Sequence, residues 1–101
     1  MMNKAMLRQA QQLQAKLAKA QEELEKATVE ASSGGGAVKV VISGQQKLRS
    51  IKISPEAVDP KDVGMLEDLV LTALNEALER SKELAANHIS AITGVNIPGL
   101  L

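Results

Sequence analysis

Residues 3–27 impose the strongest constraint on this sequence, because their apolar residues follow the spacing of a long amphipathic helix. These seam positions are separated alternately by four and three residues: Met6, Ala10, Leu13, Leu17, Ala20, Leu24 and Ala27. The other positions are mostly Ala, Gln, Lys and Glu, which favour helix. At about 1.5 Å per residue the helix is roughly 38 Å long. We therefore expect part of it to project beyond a domain of only 101 residues.

Three short segments with β-sheet character follow at residues 28–53. They are rich in β-branched residues and are separated by the glycines Gly34–Gly36 and by a turn that begins at Gly44. Glycine-containing connections of this length are typical of hairpins. The sequence therefore predicts a three-stranded antiparallel meander.

Alternation along these segments predicts which side chains share a face of the sheet. The residues predicted to face the core are Val29, Ala31, Val38, Val40, Ile42, Ile51 and Ile53. Val41 and Leu48 are predicted to lie on the opposite face, beside Lys39 and Lys52.

The three consecutive glycines raise the question of a phosphate-binding loop. A nucleotide-binding P-loop requires Gly-x-x-x-x-Gly-Lys followed by Ser or Thr, and it leads from a strand into a helix. Gly34–Gly36 instead lead from one predicted strand into another, and no Lys-Ser or Lys-Thr pair follows them. Such a loop has no helix dipole to offer a phosphate. We interpret it as a hairpin connection that exploits the conformational freedom of glycine.

A second long helix is predicted over residues 60–93, where the apolar residues return to a helical period. Asp59 suits an N-cap, Pro60 suits the first helical position and Gly94 suits a C-cap. The apolar stripe is wide, so we expect this helix to be buried on two sides. Residues 94–101 form an apolar tail without predicted structure.

The predicted architecture is one α+β domain over residues 1–101, with the order α-β-β-β-α. Its core contains no Phe, Tyr or Trp and depends on Leu, Ile, Val, Met and Ala. A three-stranded meander also has two open edges. Both features favour a homodimer, in which a second copy completes the core.

The side chains that catalysis requires are missing from the sequence or stand alone in it. There is no cysteine, and therefore no thiolate nucleophile or thiolate metal ligand. The single histidine, His88, has no nucleophile paired with it in the sequence and is interpreted as a surface or boundary residue. The acidic residues between 67 and 83 are interpreted as a solvated helix face. We predict a protein that is not an enzyme and has no cofactor, metal or small-molecule substrate.

The sequence also gives no sign of a membrane segment. No window approaches the roughly 18 apolar residues that a membrane span needs, and the N-terminus lacks the apolar run of a signal peptide. Together with the absence of cysteine, this favours a cytoplasmic protein.

Charge is distributed unevenly, although the formal net charge is zero. Residues 1–53 contain nine Lys or Arg and four Asp or Glu, whereas residues 54–101 contain three and eight. Five basic residues of the first helix avoid its apolar seam: Lys4, Arg8, Lys16, Lys19 and Lys26. A basic segment on a neutral chain is a possible footprint for a polyanion.

Three interpretations of this basic face remain open. It is a solvated surface or one that pairs with the acidic second helix, a row of phosphate contacts to nucleic acid, or a contact with an anionic membrane. The membrane is disfavoured, because the seam is mostly alanine and lacks aromatic anchors. If the partner is nucleic acid, duplex DNA is favoured, because single-strand binders stack bases on aromatic rings and this chain has none.

The sequence resembles the bacterial YbaB/EbfC nucleoid-associated proteins. The resemblance rests on "GGGAVKVVISGQQKLRSIKISPE", followed by "MLEDLVLTALNEALERSKELAA" and a Thr-Gly…Pro-Gly-Leu tail, and it covers nearly the whole chain. It implies an α-β-β-β-α fold and a tweezer-shaped homodimer whose projecting helices contact DNA. In this sequence it points to the first helix, and to Arg80, Lys82 and His88 on the last.

The sequence therefore predicts a nucleoid-associated homodimer that binds duplex DNA. The predicted contacts are mainly to the phosphate backbone, with low sequence specificity and a possible effect on gene expression. The predicted DNA-contacting residues are Lys4, Arg8, Lys16, Lys19, Lys26, Arg80 and Lys82. The alternative is a homodimeric helical module that binds another protein and does not bind DNA.

Overall fold

A computed structural model describes residues 3–94 and confirms the order α-β-β-β-α. The helices and strands are α1 (Lys4–Lys26), β1 (Thr28–Ser33), β2 (Val38–Ser43), β3 (Leu48–Ile53) and α2 (Val63–Thr93). The three strands form one antiparallel sheet in the order β1-β2-β3. The predicted tail, apart from Gly94, lies outside the described residues.

The core lies between α2 and one face of β1 and β2. Its fully enclosed sheet residues, Val38, Val40 and Ile42, belong to the central strand β2. On α2, Ala73 and Ala77 face them with no exposed surface, because alanine lets the helix approach the sheet closely. The alternation predicted for β1 and β2 therefore agrees with the structure.

The prediction that Leu48 lies on the face opposite the core was wrong. Ser50 pairs with Val41, but Ile42 pairs with Leu48, so Arg49 is an extra residue in β3. Such a β-bulge shifts the alternation by one position. Leu48 therefore shares the face of Ile42.

The glycine segment is a connection between β1 and β2. Gly34, Gly35 and Gly36 have φ angles of 60°, 66° and 93°, a region that residues other than glycine rarely adopt. A Cβ on Gly34 would also come within 2.9 Å of the Leu69 side chain on α2. The loop therefore requires glycine for its backbone conformation, and at Gly34 also to leave room for the Leu69 side chain of α2.

The prediction that Asp59 caps the second helix was wrong, and α2 begins one turn later. The carbonyl of Asp59 accepts a hydrogen bond from the Asp62 amide at 2.9 Å, so Pro60 and Lys61 form a turn and not the first helical residues. Asp62 is the N-cap, and its carboxylate accepts from the Met65 amide at 3.2 Å. At the other end Gly94 is the predicted left-handed C-cap, with φ 70°.

Candidate nucleic-acid interface

The N-terminal half of α1 stands away from the rest of the molecule. Residues 4–19, which we call the arm, are exposed apart from the half-buried Leu17, and full burial begins only at Ala20 and Leu24. The described molecule measures 69 × 23 × 18 Å and has a radius of gyration of 18.9 Å. A compact domain of this length would have a radius of about 13 Å. The projection predicted from the helix length is therefore present.

The base of the arm is fixed to the body by close packing at Gly44, directly after β2. A Cβ on Gly44 would lie 2.7 Å from Leu24 Cδ2 and 3.0 Å from the Leu24 carbonyl oxygen. Only glycine therefore allows α1 to rest on this turn. Leu24, Ala85 and Ile89 line the same depression, which places the end of α1 against the C-terminal half of α2.

Polar contacts surround this packing and orient α1. The Gln45 side-chain amide donates to the Gln21 carbonyl at 2.7 Å, and the Arg49 guanidinium donates to the Glu25 carbonyl at 2.8 Å. Each bond joins the β2–β3 hairpin to the last turns of α1. The direction of the arm is therefore set by the sheet.

His88 takes part in the same junction. Its Nε2 atom lies 2.9 Å from the Glu23 carboxylate, a close polar contact without the alignment of a hydrogen bond. Sequence reasoning placed His88 at the protein boundary, where it is half-buried, but could not identify its partner on the other helix.

The basic residues of α1 lie on one side of the helix. At 3.6 residues per turn they fall within an arc of about 120° that does not overlap the apolar seam. These residues are all exposed: Lys4, Arg8, Lys16, Lys19 and Lys26. Within residues 3–94, only Lys26 of the five has an acidic neighbour, Glu22, at 4.0 Å. The other four charges are thus not neutralised by the described part of the chain.

The acids of α1 are confined to its base. The first of them is Glu22, so residues 4–21 carry four cations and no acidic side chain. The helix is therefore positive along its projecting part and negative where it meets the body. A polyanion is attracted to the arm and repelled from its base.

The structure does not bring Arg80 and Lys82 into one surface. The Arg80 guanidinium donates to the Glu30 carbonyl of β1 at 2.5 Å and pairs with the Glu76 carboxylate at 2.7 Å. Lys82 follows two residues later, about 200° further round α2, and is half-buried. Arg80 thus ties α2 to β1, a role that sequence reasoning missed because the partner is a backbone oxygen far along the chain.

No group of His, Asp and Glu side chains within residues 3–94 is arranged to hold a metal ion. Neither described helix is long and apolar enough to cross a membrane.

Comparison with known proteins gives a consistent result. The model of the YbaB/EbfC DNA-binding family matches residues 1–96. A nucleoid-associated protein of Desulforamulus reducens is 56% identical over 100 residues, covering 98% of this chain and 94% of that protein. Nucleoid-associated protein Teth39_2199 of Thermoanaerobacter pseudethanolicus is 53% identical over 96 residues, covering 94% of this chain and 86% of that protein.

Among solved structures, the crystal structure of uncharacterized protein HP0035 from Helicobacter pylori shares the fold. The TM-score is 0.78 at 20% sequence identity, and the match covers 93% of this chain and 100% of that chain. At this identity the likeness concerns the fold alone.

Proposed function

Since the chain belongs to the YbaB/EbfC DNA-binding family, we propose that it is a nucleoid-associated protein whose α1 arms bind the backbone of duplex DNA. The observation that carries this proposal is the exposed, unneutralised row Lys4, Arg8, Lys16 and Lys19 on a projecting helix. The relatives named nucleoid-associated protein agree with it. The protein then acts in the cytoplasm, at the nucleoid.

The chemistry of the arm favours phosphate contacts over base reading. Lysine and arginine on a helix surface bind phosphate oxygens without carrying sequence information. Four cations per arm, with Lys26 as a fifth at its base, supply on the order of 6–10 phosphate contacts on two arms, so the binding constant depends steeply on salt concentration. We therefore propose low sequence specificity, and effects on gene expression that follow from occupancy of the DNA.

We also propose that a second copy of the chain covers an apolar surface that the single chain leaves open. On β3, Leu48 and Ile51 are 50% and 44% exposed on the core-side face of the sheet, since α2 lies over β1 and β2. On α2, Leu71 is 58% exposed. It lies about 200° round the helix from Leu69, which packs on the β1 side. The strand and the helix flank thus expose neighbouring apolar side chains.

These side chains, which we call the uncovered surface, are Leu48, Ile51, Ile53, Leu71 and Leu78. Five exposed large apolar side chains beside an open sheet edge favour burial against a partner subunit. Burying it against a second copy would hold two arms at a fixed separation. The dimer is therefore part of the proposed DNA-binding mechanism.

The test is a titration of purified protein with duplex DNA at two salt concentrations. We expect binding that weakens steeply with salt, and loss of binding in Lys16→Glu/Lys19→Glu. The matched control Lys47→Glu/Lys61→Glu makes the same change in net charge away from the arm. If the arm variant binds as tightly as the wild type, the proposed interface is wrong.

A protein-interaction module is the second candidate, and one observation favours it. On the arm, the seam residues Met6 and Leu13 and the nearby Leu7 are about half exposed, as on a helix that awaits a partner helix. In that case Leu13→Asp would abolish capture of the partner, and the wild type would not retard duplex DNA even at low salt. Retardation at low salt decides for the DNA-binding function.

A further inference from the structure

The face of the sheet that points away from α2 carries lysines that the arm interface does not use. Two rows of directly paired residues cross the three strands there. The first row is Ser32, Lys39 and Lys52, and the second is Glu30, Val41 and Ser50. A depression of about 250 Å³ lies between them, lined by Glu30, Lys39, Val41, Ser50 and Lys52.

We propose that this lysine row is a second binding surface for the phosphate backbone of duplex DNA, separate from the arm. The inference rests on the proposed function and extends it to another part of the molecule. Nothing in the family match or in the names of the relatives assigns a role to this face.

The first argument is the unfavourable placement of the two lysines in the fold. Lys39 and Lys52 are directly opposite each other on neighbouring antiparallel strands, and like charges in that position destabilise a sheet. Within residues 3–94 neither ammonium group forms an ion pair with a carboxylate. The described part of the chain therefore does not offset the repulsion, whereas a bound phosphate would.

The second argument is that protection of a sheet edge explains only one of the two lysines. Lysine on an edge strand discourages pairing with another sheet, and Lys52 on β3 can be explained in this way. Lys39 lies on β2, which has a hydrogen-bonded neighbour on each side. A central strand has no edge to protect, so edge protection does not account for Lys39.

The third argument is the set of groups around the lysines. Ser32 and Ser50 carry hydroxyl groups on the same face, and neither hydroxyl forms a hydrogen bond within the described residues. Lysine and serine side chains both bind phosphate oxygens in protein–DNA complexes. Glu30 is the acidic side chain among the two rows, so the face keeps a net positive charge.

The position of the row makes it distinct from the arm. Lys39 is near the beginning of β2 and Lys52 near the end of β3, at the glycine-loop end of the sheet. The arm is anchored at Gly44, at the other end of β2. Each protomer would thus contact phosphates at two separated places.

The experiment measures the slope of log Kd against log salt for a duplex, in wild type and in Lys39→Gln/Lys52→Gln. Each lost phosphate contact lowers the slope by about 0.9, so we expect a decrease of about 1.8 per protomer. The control Lys47→Gln/Lys61→Gln removes the same charge from two turns outside this face and should keep the wild-type slope. If Lys39→Gln/Lys52→Gln has the same slope as the control Lys47→Gln/Lys61→Gln, the inference is overturned.

Two further readouts separate charge from structure and from the arm. Lys39→Arg/Lys52→Arg should retain the wild-type slope, because the charges remain; a loss of slope in this variant also counts against a phosphate contact. If Lys16→Glu/Lys19→Glu loses binding while Lys39→Gln/Lys52→Gln keeps the wild-type slope, the second surface is wrong and the proposed function stands. If neither variant changes binding, both proposals fail.

Discussion

The hydroxyl of Ser81 on α2 donates a 2.7 Å hydrogen bond to the backbone carbonyl of Ser43, and both residues are fully buried. The bond joins the second half of α2 to the last residue of β2, one residue before Gly44, where α1 is anchored. The Ser43 hydroxyl in turn accepts from the amides of Gln45 and Lys47, both at 3.2 Å. This short polar network fixes the hairpin on which the arm rests.

Ser81→Ala should destabilise the protein by about 1 kcal/mol, the low end of the cost of an unmade buried hydrogen bond. The cost stays low because the Ser43 carbonyl also accepts from the Gln46 amide at 3.0 Å. Denaturant unfolding at equal protomer concentration measures the change. Thr72→Ala, on the exposed side of α2, is the control and should be neutral or slightly stabilising. An unchanged midpoint in Ser81→Ala would contradict a structural role for the bond.

Gly44→Ala should weaken the attachment of α1, since the new methyl group would lie 2.7 Å from Leu24 Cδ2. Overpacking of this kind costs about 1–3 kcal/mol. Gly64→Ala is the matched control, because nothing lies within 4 Å of its added Cβ. That substitution should be neutral or stabilise α2 by less than about 1 kcal/mol. Thermal unfolding compares the two, and amide hydrogen exchange in residues 17–26 reports whether α1 is released.

The pattern of apolar residues was enough to predict most of the fold. The heptad seam predicted α1, and the alternation of Val38, Val40 and Ile42 predicted the buried face of β2. The bulge at Arg49 could not be predicted in the same way, because one extra residue changes the face of Leu48 without changing the composition of the strand. Asp59 and Asp62 are both good caps, and only the turn at Pro60 decides between them.

The candidate site was predictable where it depends on one helix and not where it depends on packing. The period of α1 alone places Lys4, Arg8, Lys16 and Lys19 on one exposed side. The contact of Arg80 with the Glu30 carbonyl depends on how α2 lies on β1. Arginine commonly contacts DNA phosphates. The Arg80 guanidinium, however, is already bonded to Glu30 and Glu76 within the chain. Its predicted role at DNA remains a prediction.

The pKa of Glu56 should depend on the hydroxyl group of Ser54. The hydrogen bond from Ser54 is the main cause that lowers the pKa of Glu56 from its ordinary value of 4.5, and a backbone hydrogen bond adds to it. A lowered folded-state pKa stabilises the fold above the unfolded value, and this contribution is lost as the pH falls through the folded value. Ser54→Ala should therefore raise the pKa of Glu56 toward 4.5 and reduce the loss of stability below that pH. An NMR titration of the Glu56 carboxyl group measures it, and an unchanged pKa would assign the effect to the backbone.

The last prediction concerns Ile51, the central residue of the uncovered surface on β3. Ile51→Glu places a charge where we propose that a second copy packs, and an unpaired buried charge is strongly unfavourable. We expect the mass in solution, measured by light scattering, to fall by half. Ser50→Glu introduces the same charge one residue away on the opposite face, and it should leave the mass unchanged.

The Ile51→Glu variant also tests whether assembly contributes to DNA binding. A monomer carries one arm, so the slope of log Kd against log salt should fall to about half of the dimer's value, since each phosphate contact contributes about 0.9. Affinity should fall as well, because the second arm no longer binds as part of the same particle. A monomeric Ile51→Glu protein with the wild-type slope would show that one arm makes all the contacts. A dimeric Ile51→Glu protein would place the subunit interface elsewhere.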